Sequence, residues 1–233
     1  MRHKHRFALA VCLTASVGAL GVGRNARTAP PAKPAATTRP ATTAAATQPA
    51  PAAAAVRGTV TAESEVPLSE MVVYLESPDP GRAMPPPGEA VEVSQKGARF
   101  EPKLTVVTVG QTVNFLNDED RAIEHNVFSS SAAKRFDLGL FGPSQSKSVT
   151  FDKPGPVLLR CSIHRYMDGV VFVSRTPYTS LVDKEGRYSI ADVPPGKWTL
   201  KTWQGRRRFA EQTIPVTVEP GKPTTVDIEL KRK

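Results

Sequence analysis

The sequence lacks the patterns that would indicate a helical domain or a nucleic-acid-binding domain. No segment has a persuasive amphipathic helical period, which argues against a helical domain. The formal net charge is +9, but residues 1–55 hold seven basic residues and no acidic one. Removing those seven from the total of 31 leaves 24 basic against 22 acidic residues. This near balance beyond residue 55 gives no reason to propose nucleic-acid binding.

Histidine and cysteine are scarce, with four His and two Cys in 233 residues. Three of these six residues lie in the first twelve positions: His3, His5 and Cys12. The other three are His125, Cys161 and His164. If the N-terminal segment is removed, no second cysteine remains for a dinuclear centre, and no unassigned histidine remains for a second, catalytic metal ion.

The three remaining residues fall into two short motifs. The run from Cys161 to Met167 holds a thiolate, an imidazole and a thioether within seven residues, and His125 lies 36 positions before Cys161. Two His and one Cys, with a weak Met ligand, form the donor set of blue-copper electron-transfer sites. Alone, Cys161 would more often be a small buried hydrophobe. Together, these residue types at this spacing predict a metal site.

The amino terminus has the features of an export signal. A basic stretch, Arg2–Arg6, precedes an apolar run, Phe7–Val17, that is short for a membrane span. We therefore predict a signal peptide over residues 1–26 and an exported protein, periplasmic or extracytoplasmic. An uncleaved anchor, which would tether the protein to a membrane, is the alternative. Lipid attachment at Cys12 is disfavoured because Val11 is large for the residue before a lipidated cysteine.

Residues 27–55 are almost wholly Ala, Pro and Thr. Such a segment cannot bury enough apolar surface to offset the entropy lost on ordering. We predict a disordered linker here.

From Val56 onward the pattern is all-β. Short runs that alternate in polarity or are rich in β-branched residues recur between Gly and Pro residues. Twelve such runs are predicted as strands: 56–61, 71–76, 90–93, 104–109, 112–116, 146–151, 157–160, 170–173, 179–182, 187–190, 198–203 and 224–230. A segment of this length can form one large or two small β-sandwiches.

Residues 88–175 resemble the cupredoxin family, in particular its plastocyanin and amicyanin branch. The matching stretches are Phe100–Pro102 leading into Leu104–Val113, then Asn117-Asp118, His125–Phe128 and Cys161–Met167. The resemblance implies a Greek-key sandwich that holds one type 1 copper ion per chain. His125, Cys161 and His164 would be the equatorial ligands, and Met167 the axial one.

The same resemblance implies roles for neighbouring residues. Asn126 and Ser162 match the positions that join the first histidine's strand to the loop after the cysteine. His164 would be the ligand through which electrons leave the site. We expect an apolar docking rim around His164. It would consist of Ile163 and Tyr166, together with Phe141 or Pro143.

Residues 179–200 resemble the second half of a carboxypeptidase regulatory-like, transthyretin-like sandwich. The first half of that pattern appears upstream, in residues 56–61 and 67–75. We therefore predict a discontinuous sandwich made of residues 56–77 and 176–233, with residues 88–175 inserted and 78–87 as the connection. The alternative makes residues 56–77 extra edge strands of the copper domain.

These expectations favour an electron carrier that exchanges electrons with redox protein partners, and not an enzyme. A copper oxidase or nitrite reductase would need further histidine ligands. Copper carriage or storage stays open, as does a binding or adhesion module with a structural copper site. In the last case Trp198 or Trp203 could contact a ligand, although their alternating positions favour the core.

Overall fold

A computed structural model describes residues 52–62, 68, 70–85, 87–205 and 208–232. The predicted signal peptide, Cys12 and nearly all of the predicted linker lie outside these residues. The described part is built from strands without a helix, which confirms the predicted all-β class. Within it, no helix is present that is long and apolar enough to cross a membrane.

Seventeen strands follow one another along the described chain. The first nine are β1 (Ala54–Ala62), β2 (Met71–Glu76), β3 (Val91–Lys96), β4 (Arg99–Glu101), β5 (Leu104–Thr108), β6 (Thr112–Asn117), β7 (His125–Ser130), β8 (Arg135–Phe141) and β9 (Ser146–Thr150). The other eight are β10 (Gly155–Arg160), β11 (Asp168–Ser174), β12 (Thr179–Leu181), β13 (Arg187–Val193), β14 (Gly196–Gln204), β15 (Thr213–Val218), β16 (Thr224–Thr225) and β17 (Ile228–Leu230).

Strands β3–β11 form a Greek-key sandwich, called here the first sandwich. One of its sheets has the order β5-β11-β10-β7-β8, and the other has the order β4-β3-β6-β9. The chain crosses between the sheets from β4 to β5, from β5 to β6, from β6 to β7, from β8 to β9 and from β9 to β10. The two sheets bury a common core because apolar residues alternate along their strands; β6, for example, buries Val113 and Phe115.

Strands β1, β2 and β12–β17 form a second sandwich. Its sheets have the orders β12-β2-β14-β15 and β13-β1-β16, with β17 also paired to β1. Its buried cluster includes Val56, Ile190, Trp198 and Leu200. Trp198 is 2% exposed, and its indole N–H donates to the Pro194 carbonyl. Burial of this indole leaves no room for the ligand contact considered above.

The two sandwiches share a smaller apolar contact. Phe172 on β11 and Leu104 on β5 face outward from the first sandwich and pack against Val72 and Trp203 of the second. The Phe172 and Trp203 ring centroids are 4.9 Å apart. The parallel strands β5 and β11 are thus covered on both faces, as is usual for parallel pairs.

Four strands were not predicted from the sequence: the three-residue strand β4, and the longer strands β7, β8 and β15. β7 and β8 interrupt their apolar residues with buried polar groups and a glycine, and β15 contains Pro215. The weak alternation of these segments is compensated by pairing: β7 joins β8 and β10, and β15 joins β14. Pairing with neighbouring strands, rather than a clear local alternation, therefore determines that these segments are strands.

Deletion of residues 88–175, with a short flexible linker in their place, should leave the second sandwich folded. Its core is contributed entirely by residues 54–84 and 178–230. The chain re-enters the second sandwich beside β2, because the Thr176 hydroxyl donates to the Leu75 carbonyl and the Leu75 N–H donates to the Tyr178 carbonyl. Circular dichroism and a cooperative thermal transition would check this. An unfolded remainder would count against an inserted domain and favour one inseparable fold.

Replacement of Trp203 by alanine should lower the free energy of unfolding by about 3 kcal/mol, since it removes a buried indole. Trp203 is 6% exposed. The control is Leu181→Ala, whose side chain is 50% exposed and should matter by less than about 0.5 kcal/mol. Urea unfolding of both variants makes the comparison. Equal losses would mean that the contact between the sandwiches contributes little.

Candidate metal centre

The predicted ligands come together at one end of the first sandwich. His125 is the first residue of β7, Cys161 directly follows β10, and Met167 directly precedes β11. β7 and β11 both pair antiparallel with β10, so the starts of these two strands lie beside the end of β10. These three strand ends therefore bring together, at one end of the first sandwich, residues that are up to 42 positions apart in sequence (125 to 167).

Three of the residues form a compact donor group. The ligand atoms of His125, Cys161 and His164 all lie within 4.8 Å of one another, and this is the one such group in the described ranges. The Cys161 Sγ and His164 Nδ1 atoms are 3.8 Å apart, and the two imidazole centroids are 4.9 Å apart. His125 and Cys161 are buried, whereas His164 is partly exposed.

The two ring nitrogens of His125 have different surroundings. Nε2 lies 2.8 Å from Oε1 of Glu119, and the His125 side chain is fully buried. Because a carboxylate only accepts hydrogen bonds, this contact places the proton on Nε2 and leaves a lone pair on Nδ1. Nδ1 is buried and has no hydrogen-bond partner among the residues that the structure describes. Such an orphaned acceptor costs free energy, and a metal ion would satisfy it.

Glu119 was not predicted from the sequence. Besides His125, its Oε1 accepts the Ala98 N–H at 3.0 Å. The hydrogen bond from His125, followed by those from the Ala98 and Gly97 N–H groups, lowers the pKa of Glu119 against the opposing effect of burial. A carboxylate that holds the outer nitrogen of a ligand histidine fixes the ring and its tautomer. The only sequence signal was an acidic residue six positions before His125.

Asn126 joins β7 to the loop after Cys161. Its Oδ1 accepts the Ser162 N–H at 3.3 Å, so the two residues expected to support the site are in direct contact. Its Nδ2 donates to Oδ1 of Asp137 at 2.7 Å, a contact that was not predicted from the sequence. The side-chain amide of Asn126 therefore connects the residue after His125 to Ser162, the residue after Cys161.

Met167 lies in the same buried cluster as Cys161 and is 1% exposed. Its N–H donates to the His164 carbonyl at 2.9 Å, which closes a turn in the ligand loop. This turn keeps the thioether and the His164 imidazole in one short segment. Its role as an axial ligand stays a prediction.

The exposed surface around His164 includes two large apolar side chains. Ile163 is 50% exposed and Tyr166 is 72% exposed, and the Tyr166 and His164 ring centroids are 6.0 Å apart. Phe141 is only 2% exposed, so it belongs to the core and cannot form a rim. Its neighbour Leu140, 48% exposed, faces outward instead because successive residues of a strand point to opposite faces.

No family model and no curated protein matches this chain. Among solved structures, a purple cupredoxin from Nitrosopumilus maritimus is 23% identical over 36% of this chain and 99% of its own, with a TM-score of 0.33. The copper-containing nitrite reductase NirK from Thermus scotoductus SA-01 is 28% identical over 42% of this chain and 25% of its own, with a TM-score of 0.36. An amicyanin mutant in the reduced state is 23% identical over 43% of this chain and 99% of its own, with a TM-score of 0.33. What the centre binds has to be inferred from its own donor atoms.

Replacement of Glu119 by alanine should weaken copper binding by about 10- to 100-fold, because it frees the ring and the tautomer of His125. Affinity would be measured by competition with a calibrated chelator. The matched control is Glu124→Ala, which removes an exposed carboxylate directly beside His125 in sequence. Equal affinities for the two variants would show that the hydrogen bond to Nε2 does not support the centre.

Proposed function

We propose that this chain binds a single copper ion in a type 1 centre and carries electrons one at a time between redox proteins. His125, Cys161 and His164 would hold this ion, and the Met167 thioether would be a further, weaker donor. The observation that carries the proposal is the group of three donor atoms within 4.8 Å of one another, one of them a buried and unpartnered Nδ1.

The donor types favour copper. Two imidazoles, one thiolate and a weak thioether suit copper in its +1 and +2 states, whereas structural zinc sites are closed by four Cys and His ligands. When bound, copper supplies a one-electron redox couple at this position. The thiol of Cys161 is the group that must lose a proton to become a ligand, because metal coordination favours the thiolate.

The protein's own contribution is a set of ligands that are already in place. Glu119 fixes the His125 ring, and Asn126 holds the loop that begins at Ser162. Fixed ligands move little when the charge at the centre changes, so the energy of rearrangement stays small. This property suits rapid electron exchange more than release of the metal, and therefore favours an electron carrier over copper carriage or storage.

The route for electrons follows from exposure. His125 and Cys161 are buried, and His164 is the one equatorial ligand with access to solvent. A partner that docks on the exposed side chains of Ile163 and Tyr166 would approach the His164 ring edge. Partners are therefore expected to be redox proteins with an apolar docking surface.

The arrangement favours a carrier over a copper enzyme, because the described residues offer one metal-binding group of this kind. A binding or adhesion role for the second sandwich is less favoured, since Trp198 and Trp203 are 2% and 6% exposed. We further propose that the protein works outside the cytoplasm, as its amino-terminal sequence predicts.

The test is an optical and electron paramagnetic resonance spectrum of the full chain with one equivalent of copper(II). An intense visible thiolate-to-copper band with narrow hyperfine splitting is expected, and reductant should bleach it reversibly. Cys161→Ser should abolish the band, whereas the matched variant Cys12→Ser should retain it. A pale, tetragonal spectrum or binding below one equivalent would reject the type 1 assignment and favour copper carriage.

A further inference from the structure

The edge strand β8 carries a bulge opposite the middle of β7. The pairing partners are Asn126 with Leu140 and Phe128 with Asp137, so β8 has one extra residue between them. Gly139 adopts a φ of +64°, a conformation that a glycine reaches without steric cost. Bulges of this kind redirect side chains, often near functional sites.

The Asp137 carboxylate organises this bulge. Its Oδ1 accepts the Gly139 N–H at 2.9 Å and the Asn126 side-chain amide at 2.7 Å. Lys147, from β9 in the opposite sheet, donates to the carbonyls of Leu138 and Leu140 on either side of Gly139. The bulge is therefore held from both sheets of the first sandwich.

The contact with Asp137 determines which way the Asn126 amide faces. An amide side chain can rotate by half a turn and exchange its donor and acceptor ends. An ionised Asp137 only accepts, so it selects the orientation in which Nδ2 faces β8. The acceptor end, Oδ1, then faces the Ser162 N–H, 3.3 Å away. In the reversed orientation two N–H groups would face each other at Ser162.

We propose that Asp137 is a positioning residue for the metal centre and acts on the Cys161 loop through Asn126. The inference rests on the proposed function for its significance, since the loop matters because Cys161 and His164 are ligands. Asp137 touches neither ligand. It sets the orientation of the one amide group that ties β7 to the residue after Cys161.

The first measurement is amide hydrogen exchange by NMR in the metal-free full chain. Asp137→Ala should speed exchange of the Ser162 amide by about two- to tenfold, the effect of losing one hydrogen bond. Asp137→Asn can still present an oxygen to Asn126 and should restore most of the protection. Asp152→Ala is the control: this exposed carboxylate is paired with Lys134 at 3.0 Å and should leave the Ser162 amide unchanged.

A second readout separates positioning from simple support of the bulge. If Asp137 served only the bulge, Asp137→Ala would expose the Gly139 amide and leave the Ser162 amide protected, which would overturn the proposal.

In the copper-loaded chain, Asp137→Ala should also lower copper affinity about tenfold. If Asp137→Ala leaves Ser162 exchange unchanged while the copper-loaded wild-type chain shows the visible band, the positioning role of Asp137 is rejected and the proposed function is not. A wild-type chain without the band would reject the function, and the metal-free exchange result would still stand.

Discussion

The whole centre depends on how a fully buried histidine satisfies two ring nitrogens. Nε2 is hydrogen-bonded to Glu119, and Nδ1 has no hydrogen-bond partner in the described part of the chain. A buried imidazole left in this state would lower stability. The Cys161 thiol and the His164 ring lie close enough to His125 for the three side chains to share one metal ion. Because the unpaired lone pair of this ring lies on Nδ1, the buried histidine has a defined direction from which a metal ion could bind.

Supports around the ligands come from separate parts of the chain. Glu119 is anchored by the turn between β3 and β4, while Asn126 is anchored by the bulge of β8. The turn that anchors Glu119 joins two strands of one sheet of the first sandwich, and the bulge that anchors Asn126 lies in an edge strand of the other sheet.

The sequence was informative where residue types are rare and uninformative where they are common. His125, Cys161 and His164 could be predicted to meet because few other His or Cys exist, and the Asn126–Ser162 pairing followed from a family pattern. Glu119 and Asp137 are two of 22 acidic residues, and only the tertiary fold selects them. Phe141, which was one of two alternatives for the surface rim beside Pro143, is buried, since the alternation of its strand was not evident from the sequence. The Phe172–Trp203 contact joins residues 31 positions apart (172 to 203) across two sandwiches, which no local pattern encodes.

The double coverage of β11 has a consequence for protein engineering. This strand starts directly after Met167 and ends at Ser174, just before the chain enters the second sandwich. Its outer face carries Phe172, and the neighbouring β5 carries Leu104, both buried against Val72 and Trp203. A minimal first sandwich cut from its host would present these side chains to water as a contiguous apolar patch, a typical cause of self-association. Use of the first sandwich as an isolated domain would therefore be limited by solubility, and polar replacements on that outer face would be the natural remedy.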